Sequence, residues 1–332
     1  MRDDHLAHYH FRNHFQACDE VSELEEEDLK HICFDLVRAD DVEGMRSILK
    51  AGKLNSWIIS NDLIGCAAQY SSLEMLSILM PQKSSTDKTF EFLFRGVAQG
   101  DKRHLFEHFL NLNKEEFKSN YSYTYYYYEA EKELGLVEVL RNGSHEMLDI
   151  MCQWIEQDVL KGKKRAYLAS ASMISATSGD TYREQILLSL WRKVPKQCWN
   201  NSGWKNAITN VASTTCSVEL TKFLLGQFVP VDWRQNTTCL TALLHATKKD
   251  TAEAADLAKL LLFNGASTVV PVGNPISSNK PFVDYHVSKG KGAQKISRWL
   301  GVTWDELVAQ VQKARWDSED LDNKEDNERD EM

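Results

Sequence analysis

The sequence predicts an all-α fold assembled from a repeated pair of helices. The chain has 332 residues but only 6 Pro and 16 Gly, which disfavours a fold rich in tight β-turns. Pairs of apolar residues recur along it at intervals of 30 to 42 residues. Apolar partners three and four positions upstream of a pair give the spacing of one helix face. Self-similarity at such a period is typical of repeat proteins, so we expect an array of helical units.

The recurring pair is predicted to close the second helix of each unit. Its occurrences are Ile48-Leu49, Leu79-Met80, Phe109-Leu110, Met151-Cys152, Leu190-Trp191, Leu224-Leu225, Leu261-Leu262 and Trp299-Leu300. A shorter stretch with small residues precedes it, such as residues 64 to 68, and a turn such as Gly100-Asp101 separates the two. One helix pair cannot bury its apolar stripe alone. Stacked neighbours are therefore expected to share one row of buried leucines.

The clearest unit spans residues 240 to 267 and reads LTALLHATKKDTAEAADLAKLLLFNGAS. It resembles an ankyrin repeat, whose signature begins T-P-L-H-x-A and ends in leucines followed by G-A. Ala242 stands at the signature proline and Leu244 at the signature histidine. The matching residues lie at both ends of the unit: Thr241, Leu243, Ala246, Leu261, Leu262, Gly265 and Ala266.

The ankyrin resemblance extends over residues 28 to 300, as about eight degenerate units near a period of ~33 residues. Gly143-Ser-His-Glu146 stands where the family has G-H-x-E, and Gly52 ends the first unit at the expected place. Residues 280 to 285, KPFVDY, resemble a terminal repeat. The resemblance implies an ankyrin-type solenoid. HEAT or tetratricopeptide arrays are the structural alternative, and the Gly-Ala ending with small residues in the first helices favours the ankyrin type.

Three further segments are expected at the ends of the array. Residues 1–27 are predicted as an N-terminal helical extension, and residues 301–316 as a capping helix with Trp304, Leu307, Val308 and Val311 on one side. Residues 317–332 contain nine acidic and two basic residues, and carry −7 of the net charge of −9. We expect this acidic tail to be disordered.

Composition narrows the expected partners and compartment. Outside the tail the chain is close to neutral, which is a poor electrostatic match for nucleic acid. Its seven cysteines show no Cys-x-x-Cys spacing, as is usual in a reducing compartment. No apolar run is long enough to span a membrane, and no signal peptide is recognisable. We expect a monomer without cofactor, in the cytoplasm or the nucleus.

One short motif suggests metal chemistry. His104 to His108 read HLFEH, which fits the H-x-x-E-H pattern of inverted zinc peptidases. On a helix, His104 and His108 share a face, and Glu107 would be the base. The repeat pattern supplies a competing interpretation, because it buries the intervening residues Leu105, Phe106, Phe109 and Leu110 and leaves the histidines in solvent. No third ligand is evident, so we favour solvated histidines and keep a metal-dependent hydrolase as the alternative.

The ankyrin resemblance implies a non-catalytic scaffold that binds one or more partner proteins in a groove of first helices and connecting segments. Aromatic side chains dominate protein interfaces, so the candidate contacts are Trp57, Tyr125, Tyr127, Trp204 and Trp233. The competing interpretation is that these rings pack between neighbouring connections. A substrate adaptor for ubiquitin ligation is a narrower alternative. It needs a ligase-docking segment, which residues 1–27 do not display.

Overall fold

The computed structural model describes residues 25–52, 58–82, 89–113, 115–117, 128–160, 166–194, 202–234, 240–272 and 283–314. These residues are mainly helical and contain very little strand, which confirms the predicted all-α class. The chain divides into two compact units, Met1–Ile155 and Glu156–Met332. The acidic tail and the N-terminal extension to residue 24 lie outside the described residues.

The first unit is a succession of helix pairs. The described helices are α1 (Glu26–Arg38), α2 (Val42–Lys50), α3 (Asn61–Tyr70), α4 (Leu73–Leu79), α5 (Thr89–Gln99), α6 (Arg103–Asn111), α7 (Tyr128–Asn142) and α8 (His145–Leu160), which contains the division. First helices of successive pairs pack together: α1 on α3, α3 on α5 and α5 on α7. The second helices α2 and α4 pack likewise.

The second unit follows the same order of packing. Its described elements are α9 (Ala171–Ala176), α10 (Thr181–Lys193), α11 (Ser202–Ser213), α12 (Val218–Gly226), α13 (Ala242–Lys248), α14 (Ala252–Phe263), β1 (Val269–Val272), β2 (Val283–His286), α15 (Lys291–Leu300) and α16 (304–314). Helix α11 packs between α9 and α13, and α13 also packs on α15. Among the second helices, α12 packs on α10 and α14.

Short polar side chains begin many of these helices. The Thr241 hydroxyl accepts a hydrogen bond from the Leu244 amide at the start of α13. Thr251 does the same for the Ala254 amide at the start of α14. Such caps satisfy amides that have no partner inside the helix. The threonine that opens the ankyrin-like signature therefore has a local structural role.

Some of the turns between paired helices share one backbone feature. A residue other than glycine adopts positive φ in four of the described turns, namely Asp40, Asp101, Ser178 and Cys216. In two of these turns the aspartate also forms hydrogen bonds to the next pair of helices. The Asp40 carboxylate accepts hydrogen bonds from the amide and the hydroxyl of Ser72. The Asp101 carboxylate accepts one from the Ser144 hydroxyl. The turn is therefore a link between successive pairs as well as a reversal of the chain.

Among the described glycines of the first unit, Gly96 on α5 has the least room for a side chain. A Cβ atom added to Gly96 would lie 2.0 Å from the Gly65 carbonyl oxygen and 2.9 Å from the Ala68 Cβ. These glycines are needed for space and not for an unusual backbone angle. Gly65 belongs to the stretch of small residues, 64 to 68, that the sequence pattern identified, whereas Gly96 was not singled out.

A buried lysine joins α6 to α7. Lys132 is almost fully buried, and its Nζ donates to the carbonyl oxygens of Leu110 and Leu112 at the end of α6. The ammonium also lies 5.1 Å from the ring centroid of Trp154. A cation at the carboxyl end of a helix is favoured by the helix dipole.

The C-terminal end of the second unit departs from a simple helix pair. Strands β1 and β2 form an antiparallel ribbon in which Val269 pairs with His286. Part of the stretch expected to begin a terminal repeat is therefore extended and not helical. Beyond α15, helix α16 buries three of the four side chains predicted to share a face, Trp304, Leu307 and Val311.

Candidate functional site

Three of the five predicted contact residues, Trp57, Tyr125 and Tyr127, lie outside the described residues and remain predictions. The other two, Trp204 and Trp233, lie in the second unit, where their surroundings differ.

Trp204 is a core residue. It lies on α11, is fully buried, and its ring centroid is 5.6 Å from that of Trp191. A side chain without exposed surface has no area to offer a partner. The expectation that Trp204 contacts a partner is therefore corrected, and its ring has a packing role, because α11 lies between α9 and α13.

Trp233 follows α12 and is held against α11. Its indole Nε1 donates to Asn206 Oδ1 at 3.0 Å, and its carbonyl oxygen accepts from the Thr209 hydroxyl. The Lys205 ammonium lies 5.0 Å from the centre of the ring. The side chain is half-buried. It therefore packs on a first helix, and not on a neighbouring connection as the competing interpretation expected, while the residue stays partly exposed.

The connection that carries Trp233 is bonded to the next connection along the chain. Both carboxylate oxygens of Asp232 accept from the Ser267 amide at 3.0 Å. Ser267 in turn precedes β1, and its hydroxyl donates to the Val269 carbonyl oxygen. Two successive connections of the second unit thus form one bonded surface.

Phe228 is the most unusual residue of this surface. Its side chain is 91% exposed, and its backbone lies in the left-handed region with a φ of 61°. The hydrogen bonds around Phe228, after α12, are the same as those around Gly265, after α14. In both places the amide of the named residue donates to the carbonyl oxygen three residues earlier, and the amide of the following residue donates to the carbonyl oxygen five residues before it. Gly52, after α2, also has positive φ. An exposed aromatic side chain therefore occupies a position that suits glycine.

Phe228 was not among the candidates from the sequence. The signal that identifies it is a comparison between units: Gly265 follows Leu261 by four residues, and Phe228 follows Leu224 by four. Of the other exposed apolar side chains described in the second unit, three lie in or beside the connections, and Trp299 lies on α15. We call the following four the exposed apolar set: Phe228, Phe263, Val269 and Tyr285.

The HLFEH motif lies on α6 as the repeat pattern predicted. Leu105, Phe106, Phe109 and Leu110 are buried, whereas His104 and Glu107 are exposed and His108 is half-buried. His104, Glu107, His108 and Glu116 line one surface depression, and burial lowers the pKa of His108. Glu116 already accepts a hydrogen bond from the Asn113 amide. Within the described ranges, no group of three or more His, Cys, Asp or Glu side chains is placed to hold a metal ion.

Three of the four described cysteines are poor candidates for nucleophiles. Burial raises the pKa of the Cys33 thiol to about 12, and it also raises the pKa of Cys66 and Cys216. A thiol must ionise to attack, so these groups are unreactive at neutral pH.

Comparisons with known proteins were made at the level of families, individual proteins and folds. No family model, curated protein or solved structure matches the chain. In the part of the chain that the structure describes, every helix is too short or too polar to cross a bilayer.

His245, on α13, predicts a pH dependence of stability. Its Nε2 atom is buried and, among the described residues, has no hydrogen-bond partner. Burial, followed by the charges of Lys248 and Lys249, lowers its pKa to about 4. Between about pH 6.5 and 4 the unfolded chain binds a proton that the folded chain does not. Stability is therefore expected to fall as pH is lowered through this window, and to level off below it.

The measurement is urea unfolding at several pH values for the wild type and His245→Gln. The wild type should lose more unfolding free energy between about pH 6.5 and 4 than the variant, which has no imidazole to protonate. His104→Gln, at an exposed position, is the control and should retain the wild-type slope. Equal slopes for all three proteins would contradict the assignment.

Proposed function

We propose that this chain is an array of ankyrin-type helix pairs that binds a partner protein without catalysing a reaction. The proposal places the partner on the connections of the second unit, at the exposed apolar set and the exposed part of Trp233. The single observation that carries it is the exposure of Phe228 at a strained backbone position.

Recurrent packing and recurrent turns support the ankyrin type. Within each unit, first helices pack on the first helices of the next pair. Positive φ recurs in the turn inside a pair, and again at the end of a pair in Gly52, Phe228 and Gly265. This conformation suits the Gly at the end of the ankyrin signature. Independent globular helices would have no reason to repeat both features.

The energetics of Phe228 support a binding role. A left-handed conformation costs an L-residue roughly 1–2 kcal/mol relative to glycine. A nearly fully exposed ring recovers almost none of this by burial. Strained positions often coincide with functional ones, and large aromatic rings are frequent anchors at protein interfaces. The strain and exposure of Phe228 are therefore explained if its ring is buried in a complex.

Phe228→Gly is expected to stabilise the free protein. Glycine removes the backbone strain, which stabilises the folded state, but it also makes the unfolded chain more flexible, which destabilises the folded state. Because the first contribution is the larger, we expect a net gain of roughly 0.5–1 kcal/mol in the free energy of unfolding. Urea unfolding measures it. Gly265→Ala is the control with the opposite expected sign. It places a side chain on a backbone with a φ of 93° and should therefore destabilise the protein. A loss of stability in Phe228→Gly would show that the ring contributes to the fold.

The same variant tests binding. Wild type, Phe228→Gly and Trp233→Ala are immobilised and exposed to extract of the native host, and bound proteins are quantified by mass spectrometry. We expect at least one protein to be retained by the wild type and lost from both variants. Leu134→Ala, which removes an exposed apolar side chain of α7, should retain it. If binding is unchanged in Phe228→Gly, the proposed surface is wrong.

A further inference from the structure

Helix α15 carries a row of positive side chains on one face. Lys291, Lys295 and Arg298 are spaced four and three residues apart, so they lie within one stripe. Lys291 and Arg298 are exposed. The opposite face is anchored in the core by Ala293 and Ile296. The cations are thus held in a row by a fixed helix.

Helix α13 extends the positive row. Thr247 lies directly beside Gly292, where an added Cβ would approach within 2.6 Å. The exposed Lys248 follows, and its carbonyl oxygen lies 3.5 Å from the Lys295 ammonium. We call the set formed by Lys248, Lys291, Lys295 and Arg298 the cationic stripe.

Nearby carboxylates neutralise only part of this charge. Asp250 bonds Arg298 and accepts from the Trp299 indole at 2.9 Å. Lys249 is not part of the stripe, because its ammonium donates to the Thr214 carbonyl oxygen before α12. Lys248, Lys291 and Lys295 therefore have no ion-pair partner among the described residues, in a protein whose net charge is −9.

The strongest opposite charge of the chain is attached to the same end. Residues 317–332 hold nine acidic and two basic residues. They follow α16, which begins four residues after α15 ends. The 18 residues from 315 to 332 span at most about 60 Å when extended, and a short tether gives an effective concentration in the millimolar range. Both length and charge permit contact within one molecule.

We propose that the acidic tail binds the cationic stripe of α15 and α13 in the same molecule. The contact is electrostatic and needs no single tail conformation, since several carboxylates can exchange among the four cations. It covers the side of α15 next to Trp299, which is 49% exposed. An acidic partner that used this surface would have to displace the tail. The inference is independent of the proposed binding at Phe228.

Zero-length carbodiimide cross-linking of the full chain tests this contact. The reagent joins a carboxylate to a lysine only when the two touch. We expect monomeric product with tail peptides joined to Lys291, Lys295 or Lys248, and a severalfold lower yield at about 0.5 M NaCl, where charges are screened beyond ~4 Å. Lys222 and Lys259, exposed on α12 and α14, are internal controls and should give much less product. Equal yields at all these lysines, or links found only in dimers, would overturn the proposal.

A second measurement uses a full-length variant with every tail Asp and Glu replaced by Asn or Gln. A fluorescent peptide with the sequence of residues 317–332 should bind this variant more tightly than the wild type, whose own tail competes. Adding Lys291→Gln and Lys295→Gln to the variant should abolish the difference, with circular dichroism confirming that the fold is kept. Equal affinity for the wild type and the tail variant would reject an intramolecular contact.

Discussion

Gly96→Ala is expected to destabilise the protein by about 3 kcal/mol, because the added methyl group would overlap the Gly65 carbonyl oxygen. Both atoms belong to packed helices, so relief requires that α3 and α5 move apart. Their movement would loosen further buried contacts around Ala68. The higher helix propensity of alanine offsets only about 1 kcal/mol of this cost.

The measurement is the free energy of unfolding in urea, monitored by far-UV circular dichroism. Gly226→Ala is the matched control, since nothing lies within 4 Å of a Cβ at this position in α12. It should be neutral or slightly stabilising. If Gly96→Ala were as stable as the control, the close contact between α3 and α5 would be wrong.

Arg95→Met is expected to cost about 2 kcal/mol, because it removes a partner from the buried carboxylate of Glu138. Glu138 lies on α7 with a side chain only 4% exposed, and Arg95 Nε on α5 donates to it at 2.9 Å. Arg141 and Asn142 also bond this carboxylate and limit the loss. The Glu138 carboxylate nevertheless loses one of its partners while it stays buried, and this disfavours the folded state.

A double substitution separates charge from packing. Arg95→Met combined with Glu138→Met should recover part of the loss, since both charges are then absent. Arg46→Met is the control, because Arg46 bonds Glu43 and Glu74 on the exposed surface. It should cost less than ~0.5 kcal/mol. A loss for Arg95→Met no greater than this would contradict a buried charge network.

Local sequence patterns predicted the helix pairs, because helix periodicity and capping are encoded within about fifteen residues. Thr241 and the leucines that close α14 are examples. The ion pair of Arg95 and Glu138 joins residues 43 positions apart, and no local pattern specifies it. The contact between Gly65 and Gly96 is of the same kind.

The candidate surface was predictable only in part. Trp233 was identified as an aromatic residue of a connection, but the pattern could not distinguish it from Trp204, whose burial depends on Trp191. Phe228 was missed because an aromatic residue after a helix is unremarkable until its backbone angle is known. The ribbon of β1 and β2 was missed because each strand has four residues, too few for a clear alternation.

The buried Lys132 also has a consequence for protein engineering. It ties the end of α6 directly to α7, so this junction has a direct bond in addition to the covalent connection. Lengthening the chain between residues 117 and 128 is therefore expected to cost the fold little, since closing a longer loop costs only about 0.6 kcal/mol per doubling of its length.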